Sequence, residues 1–190
     1  MNLPAELGVK RRSLTVEAYH RMAEVGILAP DERVELIEGE VVEMAPIGSR
    51  HSGMVGRLTR LLVRAAGNRA LVFVQNPVRL SRTSEPQPDF AVLRPRADDY
   101  QSAIPEPEDV FLLVEIAESS LKYDRELKAP LYAAHAIPEL WVVDVDEKVL
   151  WIHREPRPDG YARVGKTVQP AAVRLAAAPE IEVDLSGLFA

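Results

Sequence analysis

The sequence predicts a mixed α/β fold, a central sheet flanked by helices. Three observations carry that expectation. The stretch Ser49 to Ala66 repeats apolar residues at helical spacing. The nearly unbroken apolar run Val110 to Ile116 fits a strand buried on both faces. Along the chain the elements run helix, hairpin, long helix, several strands, helix, hairpin, an order that builds a sheet with helices packed against it.

Each element has its own signal. Leu14 to Val25 reads as a helix: Thr15 can cap it, Glu17 favours its first turn and Gly26 can end it. Val34–Ile37 and Glu40–Met44 read as strands hinged at Glu38-Gly39. In the long helix, Met54, Leu58, Leu61, Leu62 and Ala65 form the apolar face. Arg50, Arg57, Arg60 and Arg64 lie opposite, as a solvated face or a track for a phosphate backbone, and Gly67-Asn68 stops the helix. Strands are expected at Leu71–Gln75, Val78–Leu80 and Asp89–Leu93. The Pro-rich, charged stretch from Arg94 to Glu108 is a surface loop. Leu121 to His135 reads as a second helix. Leu140–Asp144 and Val149–His153 form a hairpin around Val145–Lys148, and Tyr161–Val164 a further strand. Ile181–Phe189 reads as a strand or turn followed by a short apolar helix.

The 190 residues suit a single domain, organised as an N-terminal helix and hairpin (14–44), a core (49–144) and a C-terminal hairpin and tail (145–190). Hydrophobic residues make up 47% and charged residues 27%, which is globular composition and excludes a disordered or fibrous chain. With no Cys, a disulfide scaffold, thiolate-bound zinc, an iron–sulfur cluster and a Cys nucleophile are all excluded. No apolar run is long enough to span a membrane, and Met1 to Arg12 lacks the apolar core of a signal peptide. A cytoplasmic protein without a membrane partner is therefore expected. The net charge of −6 argues against coating nucleic acid by bulk attraction. It leaves room for a nucleic-acid enzyme whose metal site gathers carboxylates.

The candidate chemistry starts from Glu115. It closes the run Val110-Phe111-Leu112-Leu113-Val114, and a carboxylate on a buried strand is costly unless paired, hydrogen-bonded or metal-bound. Asp89 follows Pro88 and opens the strand Phe90–Leu93. Two such acids on neighbouring strands can converge at one end of a sheet, where hard oxygen donors suit Mg²⁺ or Mn²⁺. The plainer reading is that each caps a turn or meets an Arg. Asp124, Lys128 and Tyr132 recur at i, i+4, i+8 and share a helix face, either as a surface Asp–Lys pair or as a lysine aimed at the sheet. Glu35 is a hairpin acid with an ion pair as its alternative. His51 opens the long helix as a base, a phosphate contact or a structural hydrogen-bonding group, and Gln75 ends a strand near the same place. Trp141 and Trp151 read as packing residues. His20, His135 and His153 share no ligand spacing.

Taken in order, these pieces resemble a known group. They are Glu35-Leu36-Ile37-Glu38-Gly39-Glu40-Val41-Val42, His51, Pro86-Gln87-Pro88-Asp89, Val114-Glu115-Ile116, Tyr123-Asp124-Arg125-Glu126-Leu127-Lys128 through Tyr132, and Ile137-Pro138-Glu139-Leu140-Trp141-Val142-Val143-Asp144. Together they resemble the PD-(D/E)XK nuclease superfamily, and most closely its bacterial family of uncharacterised restriction-endonuclease-like proteins. The resemblance implies the restriction-endonuclease-like fold and an Mg²⁺- or Mn²⁺-dependent endonuclease acting on nucleic acid, DNA foremost. It implies metal-binding acids at Asp89 and Glu115, and an acid at Glu35 that approaches the metal. The superfamily's usual lysine position, two after the second acid, is Ala117 here. The related family carries its lysine on the following helix, at the position of Lys128, with Lys122 as a solvated rival. Glu118-Ser119-Ser120 departs from the family's Ser-Pro-Ser-like turn by lacking the Pro. The resemblance leaves room for a homodimer, and for an alternative in which the same fold is a catalytically silent nucleic-acid-binding or oligomeric module.

Overall fold

The computed structural model describes residues 12–190. The N-terminal stretch read as lacking a signal-peptide core lies, up to residue 11, outside the described residues. The element order is α1 (Val16–Glu24), β1 (Val34–Ile37), β2 (Glu40–Glu43), α2 (Ser49–Ala66), β3 (Leu71–Val74), β4 (Phe90–Leu93) and β5 (Val110–Ala117). Then come α3 (Leu121–Tyr123), a π turn (Asp124–Lys128), α4 (Ala129–Ala134) and the strands β6 (Glu139–Asp144), β7 (Val149–Arg157), β8 (Gly160–Thr167), β9 (Ala172–Arg174) and β10 (Glu182–Asp184).

The core is a six-stranded mixed sheet in the order β3-β4-β5-β6-β7-β8. Only β5 and β6 pair in parallel, and the α3–α4 segment makes the crossover between them. The sheet is flanked by helices, as the apolar patterning demands. On one face Met54, Leu58 and Leu62 of α2 pack over Val92, Leu112, Val114, Ile116, Trp141 and Val143. Leu185 and Leu188, from the returning C-terminal segment, join that layer. On the other face Ala129, Leu131 and Tyr132 cover Leu113, Ala117, Leu140 and Val142, with Ile37 of the first hairpin beside them. Alternation along β5 thus sends Leu113, Glu115 and Ala117 to the α4 side. Each fully buried Leu contributes about 1.5–3 kcal/mol, which fixes the register against a one-residue slip.

Local signals explain the supports. Thr15 accepts a hydrogen bond from the Ala18 N–H at 3.2 Å and caps α1. The β1–β2 hairpin turns on Glu38 and Gly39, both at positive φ (50° and 82°), a turn that needs glycine at its second position. Among the described residues no helix is long and apolar enough to cross a membrane.

Several expectations are corrected. Val78–Leu80 is not a strand: Pro77 and Pro86 flank it, and its N–H groups close an irregular loop, Val78 onto Pro86 O and Leu80 onto Ser84 O, both 3.0 Å. Leu121 to His135 is not one α-helix. Pro130 has no N–H to give and its ring would crowd the preceding turn, so the segment widens into a π turn in which the Ala129 N–H reaches Asp124 O. The tail after β10 forms a hydrogen-bonded turn through Leu188 N–H to Leu185 O and no helix. Tyr161–Val164 is the middle of the longer β8, β7 runs on to Arg157, and β9 was not foreseen. The Arg face of α2 is only partly free. Arg50 pairs with Glu118 (3.0 Å) and Asp146 (2.6 Å), and Arg57 donates to the carbonyls of Gly187 and Leu188.

Candidate active site

Antiparallel pairing sets the N-terminal end of β4 beside the C-terminal end of β5, with Phe90 opposite Val114. Asp89, one residue before β4, therefore faces the backbone just past Glu115. Its Oδ2 accepts the Ile116 N–H at 2.8 Å and bonds His51 Nε2 at 3.1 Å, while its Oδ1 accepts from Gln75 Nε2 at 3.2 Å. That bond to Asp89 draws His51 towards its charged form against the opposing effect of burial.

Glu115 is 3% exposed, and burial pushes its carboxyl up to about 8 although Lys128 pulls the other way. Its Oε1 accepts the Tyr132 hydroxyl at 2.6 Å and the Lys128 ammonium at 3.2 Å. Among the described residues Oε2 has no hydrogen-bond partner. Lys128 also lies 3.1 Å from Glu35 Oε2, so one ammonium bridges the first hairpin and the central strand. Burial opposes its charge, but Glu115, Glu35 and Asp124 outweigh burial and hold it above the usual lysine range. Glu35 itself accepts the Gln87 N–H and the Tyr123 hydroxyl, both at 3.0 Å. Asp124 accepts the Ser120 hydroxyl at 2.6 Å, and burial lifts its carboxyl to about 6 against the lowering pull of Lys128.

These groups meet at a half-open cleft of about 290 Å³. Glu35, His51, Asp89, Glu115, Asp124 and Lys128 line it, with an apolar wall opposite that includes Met44, Pro46 and Ile47. Of the residues singled out from the sequence for chemistry, Glu35, His51, Asp89, Glu115, Asp124 and Lys128 line the cleft, and Gln75 and Tyr132 each bond a residue that does. Lys122 does not: it is exposed and 3.8 Å from Glu126. Tyr123, Ser120 and the Gln87 backbone N–H received no role from the sequence. Tyr123 stood inside a recognised run and could have been marked, whereas a backbone donor carries no side-chain signal.

Among the described residues, no three His, Asp or Glu side chains converge as a ready-made metal cluster. Lys128 accounts for that by occupying the space between Glu35 and Glu115. The remaining pair still fits a small hard cation. Mg²⁺ is commonly held by one or two carboxylates, with water and substrate phosphate completing the shell, and Asp89 with the unbonded Glu115 Oε2 supplies such a pair.

The architecture is also that of a crystal structure described as a putative nuclease belonging to DUF820 from Anabaena variabilis. The two chains align with a TM-score of 0.71 at 18% identity, over 93% of this chain and 97% of that one. No curated protein matches the chain in sequence. The family model described as "Uma2: Putative restriction endonuclease" matches residues 16–186, a span containing every residue of the cleft, and the chain belongs to that nuclease-like, restriction-endonuclease-related family.

Proposed function

We propose that the protein is a divalent-metal-dependent endonuclease that hydrolyses phosphodiester bonds in nucleic acid, with DNA as its substrate. The observation that carries the reading is the pair Asp89 and Glu115 at one cleft, with Lys128 against the second carboxylate. Asp89 and Glu115 would hold Mg²⁺ or Mn²⁺. When bound, the ion supplies a water of lowered pKa and a polarised phosphate.

The chain's own groups do the positioning. Gln75, His51 and the Ile116 N–H fix the Asp89 carboxylate. Tyr132 and Lys128 hold one oxygen of Glu115, and among the described residues the other is unbonded. The surrounding carboxylates favour the charged form of Lys128, which suits it to offset negative charge building on the phosphate. Tyr123 and the Gln87 N–H hold Glu35, which in turn anchors the ammonium from the hairpin side.

One observation favours a second reading. The ammonium already bridges Glu35 and Glu115, as in a site retained for grip without cutting. Incubation with supercoiled plasmid, linear duplex and single strands, with Mg²⁺, Mn²⁺ or chelator, separates the two. The nuclease reading expects metal-dependent cleavage, lost in chelator and in Asp89→Ala and Glu115→Ala proteins that remain folded. Binding of nucleic acid with no product under any metal would establish the second reading instead.

A further inference from the structure

A second group of residues on the α4 side of the sheet is unused by the cleft. Cross-strand pairing sets Glu115 opposite Val142, Val142 opposite Trp151, and Trp151 opposite Lys166. The four therefore form one row across β5, β6, β7 and β8 and point to one face. At a strand spacing of about 4.8 Å, Trp151 stands about 10 Å from Glu115 and Lys166 about 14 Å. Arg125, from the π turn, lays its guanidinium over the Trp151 ring at 3.8 Å from the centroid, and the Lys166 ammonium lies 4.9 Å from the same centroid.

Charge makes this arrangement unusual. The chain carries 29 acids against 23 Lys and Arg, yet neither Arg125 nor Lys166 has a carboxylate partner among the described residues. Among the described residues no Arg125 guanidinium N–H donates to a protein acceptor, and its Nε is buried without one, as is Trp151 Nε1. A buried unpaired donor costs about 1–3 kcal/mol, so a stack serving stability alone would better have been built with an acid. The ring instead holds two cations side by side, neither of them ion-paired among the described residues.

We propose that Arg125 and Lys166, held on Trp151, form a subsite for a backbone phosphate of a polynucleotide strand whose scissile bond lies at the cleft. The choice of a polynucleotide rests on the nuclease reading; the anion preference rests on the two unpaired cations. A separation of about 10–14 Å corresponds to about three or four nucleotides at 3.4 Å each.

The test measures binding in chelator, where cleavage plays no part. A fluorescein-labelled single strand and duplex are titrated with wild type, Arg125→Ala, Lys166→Glu and, as control, Arg163→Glu. Arg163 is exposed on the same strand but points to the opposite face. The chain has two tryptophans, with Trp141 fully buried and Trp151 half-buried, so acrylamide quenching reports on Trp151. We expect Arg125→Ala and Lys166→Glu each to weaken binding about tenfold at low salt and to flatten its salt dependence. Arg163→Glu should change it little, and the oligonucleotide should protect Trp151 from acrylamide. Equal losses in all three variants, unchanged binding in the first two, or no wild-type binding overturn the subsite. Equal protection by inorganic phosphate at the same phosphate concentration overturns the polynucleotide assignment. If metal never yields cleavage but the two variants still lose binding, the nuclease reading fails and the subsite stands. If wild type cleaves and neither variant raises KM, the reverse holds.

Discussion

Lys128 shows how much one side chain carries at this site. It is 3% exposed and lies between Glu35 at 3.1 Å and Glu115 at 3.2 Å. Removing it leaves two buried carboxylates facing each other, a loss of about 3–5 kcal/mol in comparable pairs. Lys128→Ala should therefore lower both stability and rate, the rate by about a hundredfold or more when measured well below its melting temperature. Lys122→Ala should stay within about twofold of wild type, because an exposed pair with Glu126 at 3.8 Å contributes little. Lys128→Arg should also be poor, since a planar guanidinium does not fit the place of a compact ammonium. Parallel assays on one substrate, with circular dichroism to establish folding, decide it. Equal losses at Lys122 and Lys128 would remove the special role of the buried lysine. Asp89 and Glu115 stand out in the sequence because acids at apolar strands break the binary pattern. Spacing leaves Lys128 as either a surface pair with Asp124 or a lysine aimed at the sheet, and only the family resemblance singles it out. The partners that orient them were less legible: Tyr123 and Tyr132 are ordinary helix residues until the fold turns them inward, and the N–H groups of Gln87 and Ile116 have no sequence signature.

At the scale of an element, the segment after β5 is the instructive one. Its apolar spacing announced one helix from Leu121 to His135, and Pro130 inside that span breaks it. Pro at that position removes a hydrogen bond and crowds the preceding carbonyl, which the π turn at Asp124–Lys128 relieves. The wider turn sets the angle between Asp124, Lys128 and Tyr132, all three buried on one side. Pro130→Ala restores the donor and lets the segment tighten towards an α-helix. The expected result is a protein of equal or greater thermal stability with kcat lowered about tenfold or more, because Lys128 and Tyr132 would no longer meet on one Glu115 oxygen. Unchanged kcat would show that the π turn is incidental. Val78–Leu80 failed as a strand for a related reason: its composition suits β structure, but the prolines around it deny it ladder partners.

For the whole molecule, the sequence announced the α/β class and the buried central strand but not the strand order. Nothing in the composition of β6 says that it lies parallel to β5. Nor could the return of Leu185 and Leu188 to α2 be read from residues more than a hundred positions away. Stability against pH is likewise a property of the whole, and two buried groups should act on it in opposite directions. His153 on β7 is buried against the Tyr161 ring, and its Nε2 has no hydrogen-bond partner among the described residues. Burial pulls its imidazole down to about 4, and the Arg125 charge adds to that. The unfolded chain takes up a proton near pH 6.5, one the folded chain refuses until about 4, so this group removes stability as pH falls through that window. A His153→Leu protein should gain on wild type between pH 7.5 and 4.5, by about 2–3 kcal/mol. Glu115 has the other sign. Its folded carboxyl sits near 8 against an ordinary 4.5, so stability is lost as pH rises through that range. Glu115→Gln should gain on wild type as pH goes from 5 to 8.5, because the amide keeps the Tyr132 hydrogen bond without the charge. Melting curves of the three proteins across pH 4.5–8.5 test both slopes at once. Parallel curves would mean that neither group titrates as its burial dictates. Crossing curves would assign the acid limb of stability to the far end of the sheet and the alkaline limb to the cleft itself.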